Sequence, residues 1–311
     1  MSSYDAIIIG AGPAGLTAGI FLSRSRIKTL ILSDGIPGGQ LILTHKVANY
    51  PGVENISGYQ LASIMKKQAV SFGCEVKANV KIKNIELNGE KKQIILNDNT
   101  LLESDIVILT PGGRPRNLGI KGEEEFKGIG VSYCATCDGD FFTDKEIIVL
   151  GGGNSAIEEA ISLTKYAKKV TIIHQFDYFQ AFSYLVDEAK ANRKIHFILN
   201  STLTEIYGNE TVKGVKVNNL TTNEINDLYT DGVFIFIGYV PNTDFLKGKV
   251  LLNNKNEIIV SKNMETSIKG VFAAGDCIEK EYRQITTTVG EATIAAMSAT
   301  NYLYNKLRFK V

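Results

Sequence analysis

The feature that most constrains the fold is a pattern of strand, glycine turn, helix and strand that occurs twice along the chain. The first copy reads YDAIIIGAGPAGLTAGIFLSRSRIKTLILSD, and the second reads KEIIVLGGGNSAIEEAISLTKYAKKVTIIHQ. The turn residues Gly10, Gly12 and Gly15 of the first copy correspond, at a constant offset, to Gly151, Gly153 and Ala156 of the second. A buried strand followed by such a turn and an amphipathic helix is typical of a dinucleotide-binding unit. The sequence therefore predicts an α/β fold with two Rossmann-like (three-layer ββα) dinucleotide-binding domains.

The segments around the two copies predict that the second domain is inserted into the first. The copies are separated by a helical pattern at residues 60–72, alternating strand patterns at 80–87 and 92–96, and a buried strand at 105–109. Further strands follow at 212–217 and 232–237, and the last segment returns to a strand, a Gly-Asp turn and a long helix. Glycine- and proline-bearing joints at 111–115 and 238–242 bracket the second copy. We therefore predict a first domain of residues 1–114 and 243–311, and an inserted domain of residues 115–242, with the two joints as hinges.

Composition and charge exclude several classes of function. In 311 residues Lys plus Arg number 34 and Asp plus Glu number 33, which gives no electrostatic reason to expect a nucleic-acid or membrane-surface partner. No apolar run reaches membrane-spanning length, and MSSYDAIIIGAG leads into a strand without a signal-like segment. Four cysteines are too few for a disulfide scaffold. We expect a cytoplasmic protein, in which a close cysteine pair indicates catalysis or metal binding.

The first glycine turn meets the requirements of a nucleotide site. Its glycines allow a tight turn and the close approach of a pyrophosphate, and the following helix contributes the partial positive charge of its N-terminus. Asp34 closes the second strand, where a carboxylate can accept a hydrogen bond from a ribose hydroxyl. An isolated acid at a strand end is also typical of solvated surface. We predict nucleotide binding at Gly10, Gly12 and Gly15, with Asp34 as a candidate ribose ligand.

The second copy keeps its turn, GGGNSA, but lacks the residues that should follow it in a nicotinamide site. NAD binding calls for an acid at the end of the next strand, and NADP binding calls for arginines around the 2′-phosphate. Gln175 takes the position equivalent to Asp34, and the stretch IIHQFDYFQAF contains no arginine or lysine. Each missing charge-assisted hydrogen bond forgoes roughly 1.5 to 3 kcal/mol. His174 offers at most a partial charge. NADPH is therefore doubtful as a cofactor, and a βαβ unit kept only for architecture is an equal alternative.

The segment YCATCDGDFF holds Cys134 and Cys137 with two residues between them. A zinc site needs four ligands, but no second cysteine or histidine pair accompanies this one. The remaining candidates, Cys74, Cys277, His45, His174 and His196, are scattered along the chain. A redox dithiol is therefore favoured, and no metal is expected. Because a dithiol gains and loses protons as it exchanges electrons, Asp138 is a candidate acid and base, although an Asp beside a Gly is also common in turns. Cys74 and Cys277 receive no catalytic role.

With two βαβ units, an inserted domain, CATCD before the second glycine turn and a C-terminal AAGD, the chain resembles the low-molecular-weight thioredoxin reductases. Further matching stretches are GGQL from Gly38, NYPG from Asn49, the Gly275-Asp276 turn, and Arg283-Gln284. The resemblance covers nearly the whole chain, with the motifs in the same order and spacing. It implies a flavin enzyme that acts on a disulfide.

The resemblance implies FAD in the first domain and the redox dithiol in the inserted one. Residues that match the family's FAD-contacting positions are Gly10, Gly12, Gly15, Gln40, Asn49, Asp276, Arg283 and Gln284. It further implies that Cys137 faces the flavin, that Cys134 exchanges with thioredoxin, and that Asp138 is the acid. A homodimer is the implied assembly. Rotation of the inserted domain about the hinges would present the dithiol to the flavin and to thioredoxin in turn.

The chain departs from the family pattern at three places. NADPH-using members carry HRRxxxR where this sequence has HQFDYFQ at residues 174–180, so three arginines are absent. The usual Glu of the FAD strand is Ser33, one position before Asp34, and the usual ATG turn is TPG from Thr110. Loss of the arginines resembles the ferredoxin-dependent flavin thioredoxin reductases. Reduced ferredoxin is therefore the favoured electron donor.

Two alternatives stay open. The first is an NADPH- or NADH-dependent thioredoxin reductase with an atypical nucleotide pocket, which the intact GGGNSA turn supports. The second is a flavin redox sensor, in which the dithiol switches partner binding without turnover.

Overall fold

The computed structural model describes residues 2–44, 47 and 49–308; His45 lies outside them. The chain divides into two compact units, unit 1 with Met1–Arg114 and Val240–Val311, and unit 2 with Pro115–Tyr239. Both divisions fall inside the glycine- and proline-bearing joints. The second lies at Tyr239, a little before the predicted boundary at Asn242.

Both units combine βαβ segments with runs of consecutive strands. In the first part of the chain they are β1 (Ser2–Ile9), α1 (Pro13–Arg24), β2 (Thr29–Leu32), α2 (Gly58–Ser71), β3 (Glu75–Lys77), β4 (Ile82–Glu86), β5 (Lys92–Leu96), β6 (Leu101–Leu109) and β7 (Gly113–Pro115). Next come β8 (Val131–Ser132), α3 (Ala135–Asp138), β9 (Glu146–Leu150), α4 (Asn154–Leu163), β10 (Lys169–Ile173), α5 (Ser183–Ala191) and β11 (Ile195–Ile198). The last are β12 (Ser201–Gly208), β13 (Val212–Asn219), β14 (Ile225–Tyr229), β15 (Gly232–Ile235), β16 (Tyr239–Pro241), β17 (Val271–Ala273) and α6 (Ile285–Arg308).

Unit 1 is built on a sheet whose parallel part has the order β3-β2-β1-β6, with β17 on β6. The antiparallel strands β4 and β5 join through the first half of β6, where Ile94 pairs with Leu102. The second half of β6 pairs with β17, so the C-terminal part of the chain returns to the sheet that the N-terminal part begins.

The parallel strands of unit 1 are apolar on both faces because each face is covered by another layer. Ile8, Ile31 and Ile108 pack among the residues of α1, α2 and α6. Their neighbours Ile7 and Val107 point to the opposite face, where they pack with β4 and β5. A helix layer, a parallel sheet and a second β layer therefore enclose two cores.

Unit 2 repeats this arrangement. Its parallel sheet has the order β11-β10-β9-β15-β8, and β12, β13 and β14 form an antiparallel sheet. Val149 and Ile172 pack with the helices on one face of the parallel sheet, while Ile148 and Ile173 pack with the antiparallel layer on the other. The predicted α/β fold with two Rossmann-like ββα domains, the second inserted into the first, is confirmed.

The two crossings of the chain between the units are β7 and β16, which pair with each other. No helix within the described residues is long and apolar enough to cross a membrane.

Candidate active site

The cysteine pair lies on a short turn at the end of a parallel strand. β8 ends at Ser132, and Cys134 is the N-cap of the single-turn helix α3. Cys134 and Cys137 are joined by a disulfide, with their Cα atoms 5.3 Å apart. Both cysteines are half-buried, and Thr136 between them is exposed, with its hydroxyl 3.4 Å from the sulfur of Cys134. The disulfide therefore lies at the surface of unit 2.

The carboxyl group of Asp138 is held by a residue that the sequence analysis did not identify. Ser132 donates a hydrogen bond from its hydroxyl to Oδ2 of Asp138 at 2.6 Å. The hydroxyl oxygen of Ser132 in turn accepts a hydrogen bond from the backbone N–H of Cys134 at 3.1 Å. Ser132 thus links the candidate acid to the first cysteine. Its position two residues before Cys134 was the only signal in the sequence.

A close packing contact and a hydrogen bond fix the turn that carries the disulfide. A Cβ at Gly139 would lie 3.1 Å from Leu163 and 3.2 Å from the ring of Tyr166, so a small residue lets the turn pack closely there. Tyr133 donates its hydroxyl proton to the carboxylate of Glu123 at 2.7 Å. Glu123 is buried and also accepts from two backbone N–H groups, at Leu118 and Gly119. No motif in the sequence marks this contact between Glu123 and Tyr133.

The other two cysteines are buried thiols. Burial raises the pKa of Cys74 to about 11 and the pKa of Cys277 to about 12. The thiol of Cys277 hydrogen-bonds to the backbone carbonyl of Ala274 at 3.4 Å. Because the thiolate is the reactive form, neither residue has the environment of a reactive cysteine.

The glycines of the first turn serve different purposes. A Cβ at Gly10 would lie 2.1 Å from the carbonyl oxygen of Thr110, and one at Gly15 would lie 1.8 Å from the carbonyl oxygen of Gly10. Packing within the protein therefore requires both glycines. At Gly12 a Cβ would come no closer than 3.9 Å to Gly39. Its missing side chain leaves space at the N-terminus of α1.

Two further segments close around this turn. Gly38 donates its backbone N–H to the carbonyl oxygen of Ala11 at 2.7 Å, and Gly39 lies so near that its Cβ would be 3.0 Å from Cα of Gly12. Gln40 follows and is exposed. From the C-terminal part of the chain, the turn at Gly275 approaches α1, since a Cβ at Gly275 would lie 2.9 Å from Cβ of Ala14.

The Gly275-Asp276 turn is fixed by charged groups. Asp276 accepts a hydrogen bond from the hydroxyl of Thr288 at 3.1 Å and forms an ion pair with Lys280 at 3.1 Å. Lys280, whose side chain is 8% exposed, also pairs with Glu291 at 3.0 Å, and Glu291 accepts from the backbone N–H of Gly275. The carboxylate of Asp276 is thereby held beside the start of α1.

The remaining predicted cofactor residues of unit 1 are Asn49, Gln284 and Arg283, which contact other side chains, and Asp34 just beyond β2. Asn49 donates a long hydrogen bond of 3.4 Å to the side chain of Gln284. Arg283 forms an ion pair with the buried carboxylate of Glu257. Asp34 is exposed just beyond β2, after the buried Ser33.

The residues present fit a dinucleotide such as FAD. The open space at Gly12 and the N-terminus of α1 suit a pyrophosphate, because backbone N–H groups and the helix dipole favour negative charge. The carboxylates of Asp34 and Asp276 are of the type that accepts hydrogen bonds from hydroxyl groups, and the amides of Gln40, Asn49 and Gln284 can both donate and accept.

The second glycine turn is closed on one side by a histidine. The ring of His174 lies over Gly152, where a Cβ would be 2.4 Å from the Cε1 and Nε2 atoms. His174 is only 4% exposed, and burial lowers its pKa against an opposing backbone hydrogen bond at Tyr178. The imidazole is therefore neutral at pH 7. The partial charge considered from the sequence is not available.

An aromatic cluster follows this histidine. The ring of His174 stacks with that of Phe179 at 5.7 Å between centroids, and Phe176 stacks with Tyr178 at 5.6 Å. The backbone N–H of Gln180 donates to the carbonyl oxygen of Gly152 at 2.8 Å. Apolar stacking and backbone hydrogen bonds therefore order this segment. Gly153, in contrast, is open, since no heavy atom of the described chain would lie within 4 Å of a Cβ there.

Metal-binding groups do not converge at either turn. Within residues 2–44, 47 and 49–308, no three His, Cys, Asp or Glu side chains are placed to hold a metal ion.

Comparison with known proteins places the chain in a family. The sequence profile of the pyridine nucleotide-disulphide oxidoreductase family matches residues 4–296. A thioredoxin reductase of Peptoclostridium acidaminophilum is 43% identical over 307 residues, covering 96% of this chain and 97% of that protein. A thioredoxin reductase of Bacillus subtilis is 42% identical over 301 residues, with 96% and 95% covered.

A solved structure is similar to this chain in fold and in sequence, and it supports the same family. The crystal structure of thioredoxin reductase from Streptococcus pyogenes is similar with a TM-score of 0.91 and 42% identity, and the match covers 97% of this chain and 99% of that one. The chain belongs to the low-molecular-weight thioredoxin reductases of the pyridine nucleotide-disulphide oxidoreductase family, which are flavin-dependent disulfide reductases.

Proposed function

We propose that this chain reduces the disulfide of thioredoxin, or of a similar redoxin, through Cys134 and Cys137, with reduced ferredoxin as the electron donor. The observation that carries the proposal is a surface disulfide beside Asp138, in a unit whose second glycine turn is followed by an aromatic segment without arginine or lysine. We also infer a cytoplasmic homodimer from the resemblance to the family.

FAD would be held in unit 1. The open space at Gly12 receives the pyrophosphate, while Gly10 and Gly15 shape the turn. The polar contacts to FAD would come from Asp34, Gln40, Asn49, Asp276 and Gln284. Arg283, held by its ion pair with Glu257, would add a positive charge. When bound there, FAD would supply the two electrons that, together with two protons, convert the Cys134–Cys137 disulfide into a dithiol.

The dithiol then reduces the redoxin by two exchange steps. The thiolate of Cys134 attacks one sulfur of the redoxin disulfide, which forms a mixed disulfide and releases one redoxin thiolate. Asp138 donates a proton to that thiolate. The thiolate of Cys137 next attacks the sulfur of Cys134, which restores the Cys134–Cys137 disulfide and releases the second redoxin thiolate to take up a proton. Two electrons pass from the enzyme dithiol to the redoxin disulfide.

Ferredoxin is the favoured donor because the segment after the second glycine turn offers no arginine or lysine for a 2′-phosphate. The segment from His174 to Phe182 contains no arginine or lysine, and His174 itself is buried and neutral. A one-electron protein donor needs only an approach to the flavin and no nucleotide pocket.

An NADPH- or NADH-dependent reductase is the second candidate. The open space at Gly153 and the N-terminus of α4 favour it, because a pyrophosphate fits such a turn. In this case the nucleotide would bind without arginine contacts to a 2′-phosphate.

The dithiol route is tested by replacing one cysteine. We expect Cys137→Ser to abolish thioredoxin reduction while the protein stays yellow, because the mixed disulfide then has no resolving thiol. Cys74→Ala is the matched control, since Cys74 is buried and its thiol is protonated at neutral pH. Turnover of Cys137→Ser at the rate of the unmodified enzyme would rule the route out.

A further inference from the structure

Ser132 makes more hydrogen-bond contacts than its single proton can satisfy at one time. The residue is 4% exposed at the end of β8, whose backbone pairs with β15 at Phe234. Its hydroxyl oxygen lies 2.6 Å from Oδ2 of Asp138, 3.3 Å from the carbonyl oxygen of Cys134 and 3.1 Å from the backbone nitrogen of Cys134. A serine hydroxyl donates one hydrogen bond and accepts up to two.

The three contacts correspond to two proton arrangements. When Asp138 is ionised, the hydroxyl donates to its carboxylate and accepts from the N–H of Cys134. When Asp138 is protonated on Oδ2, the carboxyl group donates to the hydroxyl, and the hydroxyl donates to the carbonyl oxygen of Cys134. Both arrangements use the same heavy-atom positions.

We propose that Ser132 is a positioning residue for the dithiol reaction, whose hydroxyl rotates between Asp138 and the Cys134 carbonyl as Asp138 loses and gains its proton. The inference rests on the proposed role of Asp138 as the acid. The carboxyl group stays in place beside the cysteines in both protonation states, so the turn does not have to rearrange when a proton is transferred.

The shorter distance indicates which arrangement dominates. A contact of 2.6 Å between a hydroxyl and a carboxylate oxygen is typical of a charge-assisted hydrogen bond, whereas 3.3 Å is long for one between a hydroxyl and a carbonyl oxygen. Ser132 therefore favours the ionised form of Asp138, and its removal should make the carboxyl group easier to protonate.

Other titratable groups surround this turn, and none of them is substituted in the test. The turn after α3 carries Asp140, and α4, which packs against α3, carries Glu158 and Glu159. Burial raises the pKa of Glu159, and the charge of Glu158 adds to that rise. Tyr166 lies against Gly139, and Tyr133 with Glu123 precedes the turn. The cysteines do not titrate while they form the disulfide.

The proposal is tested by infrared titration of the oxidised holoenzyme, with Asp138→Asn identifying the carboxyl band. We expect Ser132→Ala to raise the midpoint of this titration by about one to two pH units, since hydrogen bonds to charged groups are worth about that much. Ser132→Thr keeps the hydroxyl and should restore a midpoint near that of the unmodified protein. Thr143→Ala is the matched control, because its hydroxyl donates to the nearby carbonyl oxygen of Asp140 at 2.8 Å.

A second readout follows the reaction itself. The chain contains no tryptophan, so the fluorescence of a tryptophan-bearing thioredoxin reports that partner alone. Because Asp138 must be protonated to act as the acid, its loss of the proton sets the alkaline limb of the pH profile for this reduction, and that limb should move to higher pH in Ser132→Ala and remain in place in Ser132→Thr. An unchanged infrared midpoint in folded Ser132→Ala, or a shifted midpoint in folded Ser132→Thr, would overturn the proposal.

The infrared measurement needs no redoxin, which separates the two proposals. A shifted midpoint in a protein that fails to reduce thioredoxin would support the role of Ser132 and contradict the proposed function.

Discussion

Gly12 and Gly15 belong to one motif, but substitution by alanine should affect FAD binding at Gly12 and folding at Gly15. Gly12 has φ of −73° and ψ of −175°, which an alanine adopts without strain, and its added Cβ would be 3.9 Å from Gly39. A Cβ at Gly15 would be 1.8 Å from the carbonyl oxygen of Gly10, so the backbone itself would have to move. We expect Gly12→Ala to fold without difficulty and to bind FAD poorly, and Gly15→Ala to fold poorly.

The magnitudes follow from the contacts. The methyl group of Gly12→Ala would hold the pyrophosphate away from the backbone N–H groups, and the loss of one charge-assisted hydrogen bond costs about 1.5 to 3 kcal/mol, or about 10- to 100-fold in affinity. Overpacking at Gly15→Ala should cost about 1 to 3 kcal/mol of unfolding free energy or more.

The assay compares two quantities on deflavinated protein. FAD titration gives the dissociation constant, and thermal unfolding without FAD gives the stability of the apoprotein. Gly12→Ala should melt near the unmodified apoprotein, while Gly15→Ala should melt several degrees lower. Unchanged FAD affinity in Gly12→Ala would refute the assignment of the open space at this turn to a pyrophosphate.

Two further predictions concern the thiols and the second turn. Because burial raises the pKa of Cys74 and Cys277 to about 11 and 12, their thiolates form only as the pH approaches those values. Iodoacetamide at pH 8 should therefore label only Cys134 and Cys137 of the reduced folded protein; a mass spectrum with additional adducts on the folded protein would contradict this. At the second turn, Gln175→Arg combined with Gln180→Arg should increase flavin reduction by NADPH at least about tenfold, since both side chains are exposed and each new charge-assisted bond is worth that much. Gln175→Glu combined with Gln180→Glu is the control of opposite charge, and an equal rate in both double variants would show that these positions do not meet the 2′-phosphate.

Sequence periodicity was sufficient for the framework of the fold. The strand expected at residues 92–96 has the bounds of β5 in the structure, because alternate residues of this strand are buried and it ends at turn residues. The helix expected at residues 60–72 is α2, Gly58–Ser71, which begins at a capping box formed by Ser57 and Gln60. The distinction between Gly12 and Gly15 needed the structure, since it depends on where other backbone atoms lie.

Side-chain hydrogen bonds around the disulfide were not predictable in the same way. The contact between Ser132 and Asp138 depends on the direction of a side chain at the end of β8, and the contact between Glu123 and Tyr133 joins residues ten positions apart. The neutral state of His174 likewise follows from its burial over Gly152. Spacing along the sequence carries none of this information.

The source of electrons is tested most directly by an anaerobic titration. The visible spectrum of the flavin-loaded protein should be recorded after stoichiometric NADPH, then NADH, then reduced ferredoxin. The account predicts that the flavin band bleaches only with reduced ferredoxin. Rapid bleaching by NADPH would contradict it, and would show that residues other than the absent arginines hold the 2′-phosphate.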